Sequence, residues 1–319
     1  MQRIESFDIL KGIGMFLIIV GHLLMGQGTK LYDFIYSFHM PLFFIVSGYF
    51  YKQEPISILL KKNRDHLLFP YLAMCIIIIV LTQIQLSHDI KTDLKRTING
   101  MGPGWFLLAL FWARLVFHYI LKIVPKYYLI LSLIISTSIC LIAHYHEFSP
   151  LFSFFPSLVS LFFLSTGYYI RAKSLLDYNK INSPLFISFA FLFWFTISSY
   201  GKVRMSECIF KLSIIDFCGS ILGTFIVYEL SQLIDHSNYL IKTILSNAGR
   251  YSLVILFFHS IDYCVSIWYY CVPIWNYIDH YLPHAILLIL ILIVRLLFVT
   301  ICLFITLKIK YLRNFFKIK

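Results

Sequence analysis

Two ionisable side chains stand eleven positions apart in the first apolar segment, KGIGMFLIIVGHLLMG over residues 11–26. Eleven residues make almost three whole turns of an α-helix, so Lys11, His22 and also Asp8 fall near one helix face. At about 1.5 Å per residue, roughly 16 Å separate Lys11 from His22. Ionisable groups inside an apolar helix are costly and often mark functional paths, so this face predicts a polar seam. The alternative is that His22 only hydrogen-bonds a neighbouring helix.

His22 has the chemistry of a general base. An imidazole titrates near neutral pH, so its neutral form can remove the proton of a hydroxyl group as that group attacks another centre. A covalent intermediate on the ring is the alternative route, and the sequence leaves both open.

A second histidine strengthens the prediction of a reaction site. The next apolar segment contains FHMP, and if it begins on the outer side, His39 enters at a depth similar to that of His22. Pro41 lacks an N–H group and frees a backbone carbonyl that must find another partner. Two imidazoles and an irregular turn at one depth predict a reaction chamber. The alternative interpretation of Pro41 is an ordinary proline kink. For Ser47-Gly48, later in the same segment, it is close packing of helices.

The composition predicts that these segments lie in a membrane. Hydrophobic residues make up 60% and charged residues 13% of the 319 residues, whereas soluble domains average about 45–50% and about 25%. We therefore predict an all-α integral membrane protein, a bundle of about ten transmembrane helices that forms a single domain over residues 1–319, without a separate soluble domain. A spanning helix needs roughly 20 mainly apolar residues, and the candidates are 9–27, 33–51, 67–86, 104–121, 126–144, 151–170, 183–200, 212–234, 250–271 and 284–307.

The distribution of Lys and Arg predicts the orientation. With the N-terminus inside, 18 of the 27 cations fall on the cytoplasmic side, and Arg114 and Arg295 fall within spans. This asymmetry follows the positive-inside rule and places both termini in the cytoplasm. It also accounts for the net charge of +12 without a nucleic-acid partner. The seven cations on the outer side are Lys30, Lys91, Lys95, Arg96, Lys202, Arg204 and Lys211.

We expect no cleaved signal peptide, disulfide framework or metal site. Glu5 and Asp8 precede the first apolar run, and no small-residue cleavage site follows it. The seven cysteines are odd in number and lack metal-ligand spacing. Most of them lie in apolar segments, which is typical of packing residues.

Four sequence blocks resemble the acyltransferase 3 family of integral membrane acyltransferases, and most closely its fucose-4-O-acetylase-like branch. The blocks are RIESFDILKGIGMFLIIVGH from residue 3, FHMPLFFIVSGYF from 38, GWFLLALFWARL from 104 and GRYSLVILFFH from 249. The resemblance implies an enzyme of the bacterial cytoplasmic membrane that moves an acyl group, usually acetyl from acetyl-CoA, to a sugar hydroxyl. The family's key pair is a basic residue and a histidine eleven positions later, which match Lys11 and His22. Most members have arginine at the first of these positions.

The resemblance also implies roles for other residues. His22 would act as the base while a sugar hydroxyl attacks the thioester. The resulting oxyanion needs a donor, for which His39 is one candidate and Trp105 a weaker one. An aromatic belt at the membrane interface explains Trp105 equally well. The family has an Arg-rich motif after the second helix, matched here by Lys61, Lys62 and Arg64. These cations would hold the phosphates of CoA on the cytoplasmic side, although they can equally serve topology alone. The pantetheine arm would then follow the Lys11 face towards His22.

Three further polar residues in the spans keep two interpretations each. Arg114 and Arg295 lie near the membrane midplane, where an unpaired cation is costly, and each can form a salt bridge or contact substrate. Possible counter-ions are Asp216, Glu229 and Asp262. His259 ends the last family block and is either functional or a core histidine.

Two other classes of function compete with the acyltransferase. A transporter or flippase of a lipid-linked saccharide would also use polar seams and kinked helices. A scaffold of a polysaccharide assembly complex would not explain the positions of Lys11, His22 and His39. The leading prediction is an O-acyltransferase acting on exopolysaccharide, O-antigen or another surface glycan. The sequence leaves open the acceptor sugar, the choice between acetyl and succinyl, and the oligomeric state.

Overall fold

The computed structural model describes residues 4–86, 90–145, 151–177, 183–237, 239–265 and 283–318. Nearly all of these residues are helical. A π-helical turn, Arg64–Leu68, joins the third helix to the fourth, and a two-stranded antiparallel hairpin, β1 (Val203–Arg204) and β2 (Ile209–Phe210), lies between the ninth and tenth. The helices are α1 (Glu5–Leu23), α2 (Lys30–Tyr49), α3 (Ile56–Asn63), α4 (Phe69–Leu86), α5 (Ile90–Asn99), α6 (Trp105–Ile123), α7 (Tyr128–Tyr145), α8 (Phe154–Ala172), α9 (Pro184–Tyr200), α10 (Ile214–Asp235), α11 (Tyr239–Arg250), α12 (Ser252–Val265), α13 (His284–Lys308) and α14 (Lys310–Phe315).

Several helices have the length and composition of membrane spans, as an all-α membrane protein requires. Within the described ranges, six stretches qualify: Glu5–Leu23, Ile56–Ile84, Ile90–Ile123, Tyr128–Tyr145, Ile214–Asp235 and His284–Lys308. A seventh arises if α11 and α12, which meet at an angle of 75°, are counted as one broken span.

These seven coincide with seven of the ten predicted segments. The other three predicted segments are helices α2, α8 and α9, with 20, 19 and 17 residues. The end of the predicted segment 250–271, from residue 266, lies outside the described residues. The count of ten spans and the cytoplasmic position of the termini stay predictions.

Glycines bring the central helices into backbone contact. A Cβ atom added at Gly48 of α2 would overlap the carbonyl oxygen of Leu164 in α8, and one added at Gly167 would overlap that of Ile45. Helix α1 meets α11 in the same way, because Gly12 faces the carbonyl oxygen of Leu245. Small residues permit this close approach between membrane helices. The interpretation of Gly48 as a packing residue is thus confirmed.

Helix α2 passes through Pro41 without a break, so the irregular turn expected there is wrong. Proline removes the N–H that would bond the carbonyl of Ser37, four residues earlier. That carbonyl instead accepts a hydrogen bond of 2.5 Å from the Ser220 hydroxyl of α10. The indole N–H of Trp194 in α9 donates to the Ser37 hydroxyl at 2.9 Å. The prediction that the freed carbonyl finds another partner is confirmed, and these bonds fasten α2 to α9 and α10.

Candidate active site

A cavity of about 730 Å³ lies within the helix bundle. Along α1 its wall extends from Lys11 to His22, eleven positions apart, or about 16 Å at the rise of an α-helix. The wall also includes three other residues that the sequence singled out, which are His39, Trp105 and Arg114. The predicted polar face of α1 therefore borders a space large enough for a ligand.

His22 is hydrogen-bonded to His259, which lies 237 residues later in the chain. The His22 Nδ1 and His259 Nε2 atoms are 2.8 Å apart. The two rings are nearly parallel, with an angle of 12° between their planes. His259 is fully buried on α12, whereas His22 is partly buried and faces the cavity. His259 therefore contacts the candidate base directly from its buried position.

This contact links the protonation of the two rings. If His22 carries its proton on Nδ1 and donates it to His259, the Nε2 atom of His22 has a free lone pair and can accept a proton. After it accepts one, the imidazolium still donates Nδ1–H to His259, and hydrogen bonds from charged donors are stronger than neutral ones. His259 is then a positioning residue for His22.

His39 has a different hydrogen-bond partner. Its Nδ1 atom lies 2.8 Å from the carbonyl oxygen of Ile35, one helical turn earlier. Because a carbonyl only accepts, Nδ1 must carry the proton, and the neutral ring keeps a lone pair on Nε2. A neutral His39 can therefore accept a hydrogen bond or a proton through Nε2. It can donate to an oxyanion through that atom only when the ring is protonated.

Lys11 is paired with Asp8 one helical turn earlier. The Lys11 Nζ and Asp8 Oδ1 atoms are 2.9 Å apart, and the Asp8 side chain is almost fully buried. This pair lowers the cost of placing a cation within an apolar helix. Lys11 still lines the cavity, so it can face a ligand while remaining paired.

The cations of the predicted phosphate motif are not among the cavity-lining residues. Lys62 forms an ion pair of 2.6 Å with Glu54, and Arg64 one of 2.9 Å with Asp65. Lys61 is exposed. The cavity wall instead includes His66 of the π-helical turn, which the sequence interpretation passed over. A π turn changes the direction of side chains relative to an α-helix, so helical spacing alone does not identify His66.

The two intramembrane arginines have different surroundings. Arg295 lies 3.7 Å from the fully buried carboxylate of Asp262, which assigns one of the possible counter-ions. Arg114 lines the cavity, and its buried Nε atom has no hydrogen-bond partner among the described residues. Asp216 does not pair with either arginine and accepts a 2.7 Å bond from the Leu212 N–H. Arg114 is thus the better placed of the two to contact a ligand.

Aromatic and charged residues at the His22 end of the cavity were missed by the sequence interpretation. Tyr32, Tyr36 and Tyr263 line this part, with Arg204 and Glu207 of the β1–β2 hairpin. The ring of Tyr263 lies 4.7 Å from that of His22, between centroids. With 22 tyrosines in the chain, no sequence signal distinguishes these three from the rest.

The sequence profile of the acyltransferase 3 family, described as an acyltransferase domain, matches residues 4–307. This chain belongs to that acyltransferase family. A curated relative is the nodulation protein NolL of Mesorhizobium japonicum, 29% identical over 160 residues. The match covers 44% of this chain and 41% of the relative, so the chain spans less than half the length of that protein. No solved structure matches the chain.

Membership of the acyltransferase family supports an acyltransferase activity and agrees with the cavity geometry. The longest gap between successive resembling blocks is 133 residues, from 116 to 248. In the fold, Lys11 and His22 of the first, His39 of the second and Trp105 of the third line one cavity. His259 of the fourth reaches it through His22. Residues that resemble a family at distant positions thus assemble into one site.

Proposed function

We propose that this protein is a membrane O-acyltransferase that moves an acyl group, acetyl in the first instance, from acetyl-CoA to a sugar hydroxyl of a surface polysaccharide. The observation that carries the proposal is the placement of His22. It lines a large cavity in a member of an acyltransferase family, and a buried histidine orients it. A base held by a second group is the arrangement expected where a weak nucleophile must be activated.

The proposed reaction follows from the two rings. His22 removes the hydroxyl proton through Nε2 as the oxygen attacks the thioester carbonyl, forming a C–O bond and an oxyanion. When the oxyanion collapses, the C–S bond breaks, and the thiolate of CoA takes from the His22 imidazolium the proton that came from the sugar hydroxyl. Throughout the reaction, the Nδ1–H group of His22 donates a hydrogen bond to Nε2 of His259. Transfer through an acyl-His22 intermediate would place the same carbonyl next to the same ring.

Hydrogen-bond donors near the carbonyl would stabilise the oxyanion. The indole N–H of Trp105 is a donor only, and Trp105 lines the cavity. His39 in its neutral form offers a lone pair instead, as its bond to Ile35 requires. We assign the donor role to Trp105 and give His39 a hydroxyl of the acceptor to bind.

The donor would enter from the cytoplasmic side. An extended pantetheine arm is about as long as five residues of extended chain, roughly 17 Å, which matches the roughly 16 Å between Lys11 and His22. With the thioester at His22, the phosphates would lie at or beyond Lys11. His66 and Arg114 also line the cavity and would contact the phosphates, while Lys61, Lys62 and Arg64 would attract them at its mouth.

We infer the orientation from charge. Both termini, and most of the lysines and arginines, would face the cytoplasm of a bacterium, with ten spans in the cytoplasmic membrane. Acetyl-CoA would then reach the cavity from inside, and the glycan or lipid-linked saccharide would approach His22 from the outer side.

A transporter of a lipid-linked saccharide is the second candidate, because the cavity follows about 16 Å of α1, about half of the hydrocarbon thickness of a bilayer. Mass spectrometry of surface glycans separates the two. Cells with the wild-type protein, the His22→Ala variant or no copy are compared at matched membrane levels. An acyl mass increment seen only with the wild type supports the proposal. An increment that survives in His22→Ala contradicts the role of His22, and glycan export that fails without the protein favours the transporter.

A further inference from the structure

The end of the cavity near His22 is lined by tyrosine rings. Tyr32 and Tyr36 of α2 are stacked, with 3.9 Å between their ring centroids. Tyr36 meets His39 edge-on at 4.6 Å, and Tyr263 of α12 meets His22 at 4.7 Å. Aromatic rings with a polar tip offer an apolar face and a hydrogen-bonding hydroxyl together. All three tyrosines line the same wall.

A charged pair faces the same space from the hairpin. The Arg204 guanidinium at the end of β1 and the Glu207 carboxylate on the turn that follows are 3.3 Å apart. Both residues line the cavity, and Asn99 does so too. The buried Nε atom of Arg204 has no hydrogen-bond partner among the described residues. Donors and an acceptor are thus available side by side, while their charges balance.

We infer that this group of residues is the acceptor subsite and that it selects a neutral sugar ring over an acidic one. The inference rests on the proposed function. A sugar ring has an apolar C–H face that suits a tyrosine ring, and its adjacent hydroxyls suit a donor next to an acceptor. We call Tyr32, Tyr36, Tyr263, Arg204 and Glu207 the acceptor subsite.

The charge balance carries the selectivity. The carboxylate of a uronic acid would compete with Glu207 for Arg204. It would also lie close to the Glu207 carboxylate, and the repulsion between these like charges lowers the affinity for the uronic acid. A neutral sugar leaves the ion pair intact and uses its remaining hydrogen-bonding capacity. A sugar stacked near Tyr36 and Tyr263 also has a hydroxyl within reach of His22, because both rings flank that imidazole.

Binding can be measured without turnover. The full chain in lipid nanodiscs is titrated with the methyl glycosides of galactose, glucose and mannose, and with the matching methyl uronides, by saturation-transfer NMR. At least one neutral glycoside should bind, and more tightly than its uronide. The Glu207→Gln variant should weaken the neutral glycoside by about 3- to 10-fold, the equivalent of one hydrogen bond, and should strengthen the uronide.

In Glu207→Gln the affinities for the neutral glycoside and the uronide should change in opposite directions, which distinguishes recognition from damage to the fold. In Tyr36→Leu the C–H protons of the sugar ring should no longer receive saturation from the protein, whereas in Tyr36→Phe they should still receive it. Lys211→Gln, a charge change just after β2 and outside the cavity wall, is the matched control and should change the affinity for neither sugar.

Tighter binding of the uronide to the wild type, or binding of neither, would overturn the subsite. The titration contains no acyl donor, so it tests the sugar site alone. If sugars bind there but a separate assay with acetyl-CoA detects no acyl transfer, the proposed function is refuted and the sugar site is not. Acyl transfer to a neutral glycan with an acceptor KM that Glu207→Gln and Tyr36→Leu leave unchanged refutes the subsite alone.

Discussion

Replacing His259 by leucine removes the hydrogen-bond partner of the proposed base, His22, while leaving the base in place. The bond lost is 2.8 Å long and lies between a partly buried and a fully buried ring. In the transition state His22 is an imidazolium, and a hydrogen bond to a charged group contributes about 1.5–3 kcal/mol. At about 1.4 kcal/mol per tenfold, we expect His259→Leu to lower kcat by about 10- to 150-fold.

The expected loss is smaller than that from removing His22, because loss of a general base costs about 10²–10⁴-fold. His259→Gln is the matched control, since its amide oxygen can accept the Nδ1–H bond and should restore part of the rate. The assay is the initial rate of transfer from radiolabelled acetyl-CoA to glycan acceptor by purified protein. The KM for acetyl-CoA should change little, because His259 does not line the cavity.

The double variant His22→Ala with His259→Leu provides the refuting result. If His259 acts through His22, its removal has no further effect once His22 is absent, because residues that act as a unit are not additive. A further 10-fold loss in the double variant, or equal rates for the leucine and glutamine variants, would show that His259 acts by packing or independently.

Three other changes follow from contacts described above. Gly48→Val should destabilise the protein by about 1–3 kcal/mol, since its side chain would overlap the Leu164 carbonyl; a lower melting temperature in detergent checks this, and an unchanged one contradicts it. Asp262→Asn leaves Arg295 without its carboxylate and should lower the free energy of unfolding by about 3–5 kcal/mol. Adding Arg295→Met should recover most of that loss in the same melting assay. No recovery would refute the ion pair. Lys11→Met should raise the KM for acetyl-CoA about 10-fold, the equivalent of about 1.4 kcal/mol, whereas Lys11→Arg, the more common family residue, should not raise it; steady-state kinetics with the acceptor saturating decide between these outcomes.

Local sequence patterns predicted the helices and the polar face of α1. Hydrophobicity over about twenty residues reports directly on membrane-spanning length, and Lys11 and His22 are related by the geometry of one helix. The predicted need of the carbonyl freed by Pro41 was also local, because proline removes a specific donor. Its partner, Ser220, could not be named, since it lies 183 residues away.

Tertiary contacts and local backbone changes account for what was missed. The partner of His22 depends on how α12 packs against α1, which no spacing rule contains. The cavity wall includes His66 of the π-helical turn, where side-chain directions depart from α-helical spacing. Lys61 and Lys62 of the preceding α3 are not among the lining residues. Arg204 and Glu207 come from a hairpin of two-residue strands, too short for an alternating pattern to reveal.

The backbone contact between α2 and α8 also constrains how this sequence can diverge. Gly48 and Gly167 each face a carbonyl oxygen rather than a side chain, so no substitution on the other helix can create room for a larger residue. Each position should therefore be conserved on its own, without correlated change across the helix pair. Contacts between two side chains, such as the stacking of Tyr32 with Tyr36, allow paired replacement. We therefore expect these glycines to be more conserved than the acceptor-binding residues among relatives that act on different sugars.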